Sequence, residues 1–117
     1  MAIEKVIGAV LYSVTFIRDY IQFGFHCESN DACLTAYASP SVTLNCVEYS
    51  YENNGYRDAL CGLINQIVKD VHTGDDDSIK VIFEGNDKLS ISPTDKEREI
   101  LIEYAVFYYG DIYIVWN

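Results

Sequence analysis

Basic residues are scarce in this chain. Eight Lys and Arg stand against eighteen Asp and Glu, a formal net charge of −10. A field of that sign repels nucleic acid and anionic lipid, which excludes both as partners. It suits a cationic protein partner, and it also serves solubility alone. The distribution sharpens the point. Residues 19–77 hold ten acids and two bases, Arg57 and Lys69, a net of −8, whereas the rest of the chain carries eight acids and six bases.

Other shortages exclude other chemistry. Histidine occurs twice, as His26 and His72, and no GxSxG, P-loop, HExxH or GxGxxG motif is present. A nucleophile elbow, a phosphate cradle and a zinc-protease helix are therefore missing, and no enzyme is expected. His26 and Cys27 are neighbours on a strand, so their side chains point to opposite faces and do not form a local Cys–His pair. The four cysteines, Cys27, Cys33, Cys46 and Cys61, contain no CxxC and no zinc-ribbon spacing. They are expected as free, buried thiols in a reducing compartment; Cys27 and Cys33 flank a turn, and a disulfide between them is the geometrically conceivable alternative. Asp75, Asp76 and Asp77 lack the alternating spacing and terminal carboxylate of a calcium loop. They read as a solvated acidic loop, with weak cation binding as the alternative. No catalytic residue, metal site or cofactor is expected. The longest uncharged stretch near the N-terminus, residues 6–17, has twelve residues. That is short for a bilayer span and is followed by no small-residue cleavage site, so the expectation is a cytoplasmic protein without a membrane partner.

What is present suits one domain over residues 1–117. Half the residues are apolar and 14% aromatic, enough for a chain of this length to bury about two-thirds of its unfolded surface. Residues 9–17 are rich in β-branched and aromatic types and predict a strand. Residues 20–27 alternate cleanly, with Ile21, Phe23, Phe25 and Cys27 on one face, and predict a second. Further strands are expected at 32–38, at 42–51 and, as a hairpin around Gly85-Asn86-Asp87, at 79–84 and 88–92. Residues 93–99 read as a polar loop with room for one helical turn. The apolar C-terminal stretch reads as strands 102–108 and 112–116, with a helical opening as the alternative. Leu60, Leu63, Ile64, Ile67, Val68 and Val71 fall at i, i+3, i+4, i+7, i+8 and i+11, which predicts a helix over 56–72 that stops at Gly74. The resulting expectation is an α+β fold: a mostly antiparallel sheet of six to eight strands with one long central helix packed on it.

The stretch YSYENNGYRDALC, residues 49–61, combines tyrosines, carboxylates and a turn. Tyrosine offers contact area at little entropic cost, and carboxylates match Lys and Arg on a partner. The candidate partner-binding residues are Glu48, Tyr49, Tyr51, Glu52, Tyr56 and Asp58, joined by Asp75, Asp76 and Asp77. The alternative is that Tyr49, Tyr51 and Tyr56 only pack the sheet edge and the helix start.

RDYIQFGF (18–25), GYRDALCGLI (55–64) and the terminal IYIVW (112–116) together resemble small bacterial β-rich domains. Among these the chain is similar to acidic immunity proteins that neutralise polymorphic or contact-dependent toxins. The resemblance implies an inhibitor that binds a toxin domain, often a basic nuclease. A small ligand-binding domain or enzyme with a pocket between helix and sheet is the competing expectation.

Overall fold

The computed structural model describes residues 2–74 and 76–117. A 3-10 helix at Ala2–Val6 leads into ten strands and two short helices. In chain order these are β1 (Val10–Ile17), β2 (Tyr20–His26), β3 (Asp31–Ala36), β4 (Ser41–Leu44), β5 (Val47–Tyr49), α1 (Tyr56–Cys61), β6 (Val68–Thr73), β7 (Ile79–Phe83), β8 (Lys88–Ile91), α2 (Asp95–Ile100), β9 (Ala105–Tyr109) and β10 (Ile112–Trp116). They form two five-stranded antiparallel sheets, ordered β1-β2-β3-β9-β10 and β5-β4-β8-β7-β6. This corrects the expected α+β fold: the architecture is mainly β, in two sheets, and among the described residues there is no long central helix.

The core lies between the sheets. From the first sheet Phe23, Phe25, Leu34, Ala36 and Phe107 point inward, following the alternation of their strands. From the second come Val42, Ile79, Val81, Phe83, Leu89 and Ile91. The two sets merge into one cluster. Burying each large side chain stabilises the fold by about 1.5–3 kcal/mol before conformational entropy is counted. The sheets are also stitched along one side. Leu11 N donates to Gln66 O, Asn65 N to Leu11 O, Val68 N to Ala9 O and Gly8 N to Val68 O, so β1 continues into the start of β6.

The expected helix over 56–72 ends after its first turns, for local reasons. Gly62 follows Cys61, and Asn65 adopts a left-handed φ of 76°. Gly62 also sits where a Cβ would meet Leu44 Cδ2 at 2.8 Å, so the turn packs close on β4. Beyond it Ile67, Val68, Val71 and Thr73 are β-branched: Ile67 bridges Val10, and Val68 onward pairs with β7 as the edge strand β6. Leu60 and Leu63 are fully buried, as the apolar stripe requires, but Ile67 is 38% exposed.

The expected strand 42–51 is likewise two strands. Asn45 and Cys46 both have positive φ, 52° and 69°, and close a tight hairpin that pairs Val42 with Tyr49, Thr43 with Glu48 and Leu44 with Val47. Asp87, expected only as a turn residue, is buried. Its Oδ1 accepts from Asn45 N at 2.9 Å and its Oδ2 from Gln66 Nε2 at 2.9 Å, while Gln66 Nε2 also reaches Gly62 O at 3.1 Å. One carboxylate thus ties together the β4–β5 turn, the β7–β8 turn and the segment after α1.

All four cysteines are free. Cys27 follows His26 and packs against the core cluster, whereas Cys33 shares the opposite face of the sheet with the buried Thr35, so the two thiols lie on opposite faces of the β2–β3 hairpin. Burial pushes the Cys27 thiol up, helped by the nearby Asp31 carboxylate. Burial also raises the Cys33 thiol, against the Thr35 hydrogen bond. Cys46 and Cys61 are exposed rather than buried. A thiol reagent is therefore expected to modify Cys46 and Cys61 quickly in the folded protein, and Cys27 and Cys33 slowly. After denaturation without reductant all four should react; recovery of two free thiols would contradict this.

Among the described residues, no helix is long and apolar enough to cross a membrane.

Candidate functional site

The stretch 49–61 lies at the end of the molecule where the β1–β2 turn, the β3–β4 connection and the β5–α1 loop meet. The loop is shaped by its own polar groups. Asn53 Oδ1 accepts from Ser50 N at 2.8 Å and from Ser50 Oγ at 3.2 Å, and Asn53 N donates back to Ser50 O at 2.9 Å. Gly55 follows with a φ of 81°, in the left-handed region that glycine tolerates without strain, and α1 starts at the next residue.

This geometry separates the tyrosines. Tyr56 is 5% exposed, and its hydroxyl donates to Pro40 O. Burial pushes the phenol strongly upward, with Glu97 and Tyr51 adding to the effect. Tyr49 is half-buried against the core, beneath Gly55. Tyr51 remains 67% exposed, its ring edge-on to Tyr56 at a centroid distance of 6.2 Å. Glu48, Glu52 and Asp58 are all exposed, and none makes an ion pair among the described residues. Tyr51 and Asp58 line an open hollow together with Asn53, Asn54, Gly55, Tyr56 and Arg57.

The acidic loop is elsewhere. It joins β6 to β7, three to four strand spacings from β5 across the second sheet, roughly 15–20 Å. Asp75 lies outside the described residues. Asp76 Oδ1 accepts from Ser78 Oγ at 2.7 Å, and this bond holds its carboxyl below the usual range. Asp77 is 3.8 Å from Arg98 Nη1, and Arg98 Nη2 donates to Asp76 O at 2.6 Å. Arg98 belongs to α2, so the loop is partly neutralised and tethered to that helix. α2 is itself fixed by a capping box between Thr94 and Glu97, whose second carboxylate oxygen accepts from Ser39 N at 2.8 Å. The nine candidate residues therefore do not form one patch: Glu48, Tyr51, Glu52 and Asp58 are accessible around the β5–α1 loop, while Asp76 and Asp77 form a separate site.

Sequence reasoning missed the cleft beside Tyr51. It has a volume of about 250 Å³ and is walled by Tyr20, Tyr37, Tyr51 and Tyr56. Arg18 and Arg57 both line it, from the β1–β2 turn and from α1. Neither arginine had been given a role, because nothing local in the sequence places residues 18 and 57 together.

The histidines are held by carboxylates at the surface. His26 Nδ1 lies 2.9 Å from Asp31 Oδ1, with its ring stacked on Tyr12 at 3.8 Å. His72 Nε2 lies 3.0 Å from Asp70 Oδ2. The expected seat of His72 at a helix end is corrected, since it stands on β6. The hydrogen bond from His72, then that from Val71 N, lowers the Asp70 carboxyl below its ordinary range. A lowered folded-state value means that the contribution of Asp70 is present above the unfolded carboxylate range and is lost as pH falls through the folded value. Asp70→Asn is accordingly expected to lower the melting temperature at neutral pH, and the gap from wild type should close on acidification. A gap that widens in acid would contradict this sign. Among the described residues, no group of three or more His, Cys, Asp or Glu is placed to hold a metal ion.

Comparison with protein-family models, curated proteins and solved structures finds no match to this chain.

Proposed function

We propose that this protein binds a cationic partner protein through the face formed by Tyr51, Glu52, Asp58 and Glu48. The observation that carries the reading is Tyr51 itself: a large aromatic side chain, 67% exposed, which shares a surface hollow with Asp58 and lies in a segment whose other carboxylates, Glu48 and Glu52, are also exposed and without ion-pair partners among the described residues. An exposed aromatic side chain on a segment rich in accessible carboxylates is the arrangement in which the ring supplies contact area and the carboxylates supply steering and register. The net charge of −10 works in the same direction at long range. The finer form of the proposal is an immunity-type inhibitor seated on a basic toxin domain. It is supported by the chain's acidic character and by the resemblance of its three segments to that class.

The test is capture from the source cell with the tagged protein and with its Glu48→Ala/Glu52→Ala/Asp58→Ala variant, followed by mass spectrometry. A basic protein retained by the wild type at low salt, and lost with the variant, is the expected result. An identical set of captured proteins for both would overturn the assignment of the face. A specific partner that is neutral or acidic would overturn the electrostatic argument.

A further inference from the structure

The cleft beside Tyr51 runs against the charge of the molecule. In a chain with more than twice as many acids as bases, it gathers two arginines and one carboxylate, Asp19. Arg18 and Arg57 make no ion pair among the described residues, although carboxylates outnumber them on the surrounding surface. Arg57 is nonetheless positioned: its guanidinium lies over the Phe16 ring, 5.8 Å from the centroid. A cation–π contact of this kind leaves the guanidinium N–H donors available, and neither arginine gives a hydrogen bond or ion pair to protein groups among the described residues, so both can serve an oxyanion. The walls are aromatic. Tyr20 and Tyr37 form a tilted pair at 5.4 Å, and Tyr51 and Tyr56 close the other side. The floor is fixed, because Tyr56 is held by its hydrogen bond to Pro40 O.

We propose that this cleft is a binding site for a small organic monoanion, a carboxylate or phosphodiester carried on a single flat apolar ring. Two cations and one carboxylate leave the lining one charge positive, which matches one negative charge. The field of the whole molecule opposes a polyanion. The aromatic walls favour a ring over a bare inorganic ion, and the volume of about 250 Å³ holds one ring rather than a dinucleotide. The cleft shares Tyr51 with the partner-binding face but draws its charge from the arginines and not from Glu48, Glu52 or Asp58, so the arginine variants and the triple alanine variant test the two readings separately.

The experiment is an NMR titration of the isotope-labelled protein with benzoate, methyl phenyl phosphate, benzamide and inorganic phosphate, each into the millimolar range. Benzoate or methyl phenyl phosphate, each a monoanion at neutral pH, should saturate, shifting the side-chain signals of Arg18 and Arg57 and the rings of Tyr20 and Tyr51. Whichever of the two binds more tightly separates the carboxylate from the phosphate source. Benzamide, which has the ring without the charge, and inorganic phosphate, which has the charge without the ring, should each bind at least tenfold more weakly. Arg18→Gln/Arg57→Gln should reduce the affinity at least tenfold while the remaining amide spectrum stays folded, and Arg57→Lys should recover only part of it. Because the map is read first on the unaltered protein, an unfolded variant would not protect the proposal. Shifts scattered away from the cleft, equal binding of benzamide and benzoate, or no saturation by any aryl anion would overturn it.

Discussion

Leu63→Asp is expected to abolish folding, whereas Ile67→Asp, one helical turn further on, is expected to leave a cooperatively folded protein. Leu63 is 0% exposed and belongs to the central cluster. A carboxylate there has no cationic partner, and burying it costs several kcal/mol against a total stability of about 5–15 kcal/mol. Ile67 is 38% exposed, and its contribution to the sheet is made by its backbone, whose carbonyl accepts from Glu84 N. Replacing its side chain should cost about 1 kcal/mol. A continuous helix over 56–72 would place both side chains on one buried stripe. Loss of folding in both variants would therefore restore the helix and refute the edge strand β6.

Asp87→Ala should be the most destabilising change of a charged residue. It removes the acceptor of Asn45 N and of Gln66 Nε2, and leaves the Asn45 N–H without its partner beneath the β4–β5 turn. Hydrogen bonds to charged groups contribute about 1.5–3 kcal/mol each, and the two share one side chain, so a loss of about 2–4 kcal/mol is expected. That corresponds to a fall in melting temperature of roughly 10 °C or more. Asp87→Asn should recover part of the loss: its carbonyl can still accept from Asn45, but its amide then faces a second donor on Gln66. Urea denaturation checks this as a lower midpoint with an unchanged slope. A variant as stable as wild type would show that the three segments are held by their apolar contacts alone.

The strands were legible where alternation was strict and the turns were explicit. The expected strand over 20–27 is β2, the hairpin around Asn86 joins β7 and β8, and 112–116 is β10. The long helix was misread because short apolar runs at helical spacing also arise when one helical turn is followed by a strand of the same composition. Leu60 and Leu63 obey the stripe and Ile67 departs from it. The signals that argue against the helix were the β-branched run after Gly62 and the left-handed Asn65. The hairpin at Asn45-Cys46 carried little warning, because cysteine is not a residue that marks a positive φ. At the site, the accessibility of Tyr51, Glu52 and Asp58 fits their position beside an Asn-Asn-Gly turn, while the burial of Tyr56 depends on Pro40, far away in sequence. The arginine cleft was invisible for the same reason. It exists only once the β1–β2 turn and α1 are brought together by the closing of the two sheets.

The most direct test of the partner-binding account is the association rate of the captured partner, measured by stopped flow as ionic strength is raised. Exposed charges are screened over about 8 Å at physiological salt, so steering by Glu48, Glu52 and Asp58 should fade with added salt. The account predicts that wild-type association slows steeply with salt. The triple alanine variant should associate more slowly at low salt, depend less on salt, and keep its melting temperature. Equal association rates for wild type and variant at low salt would contradict it.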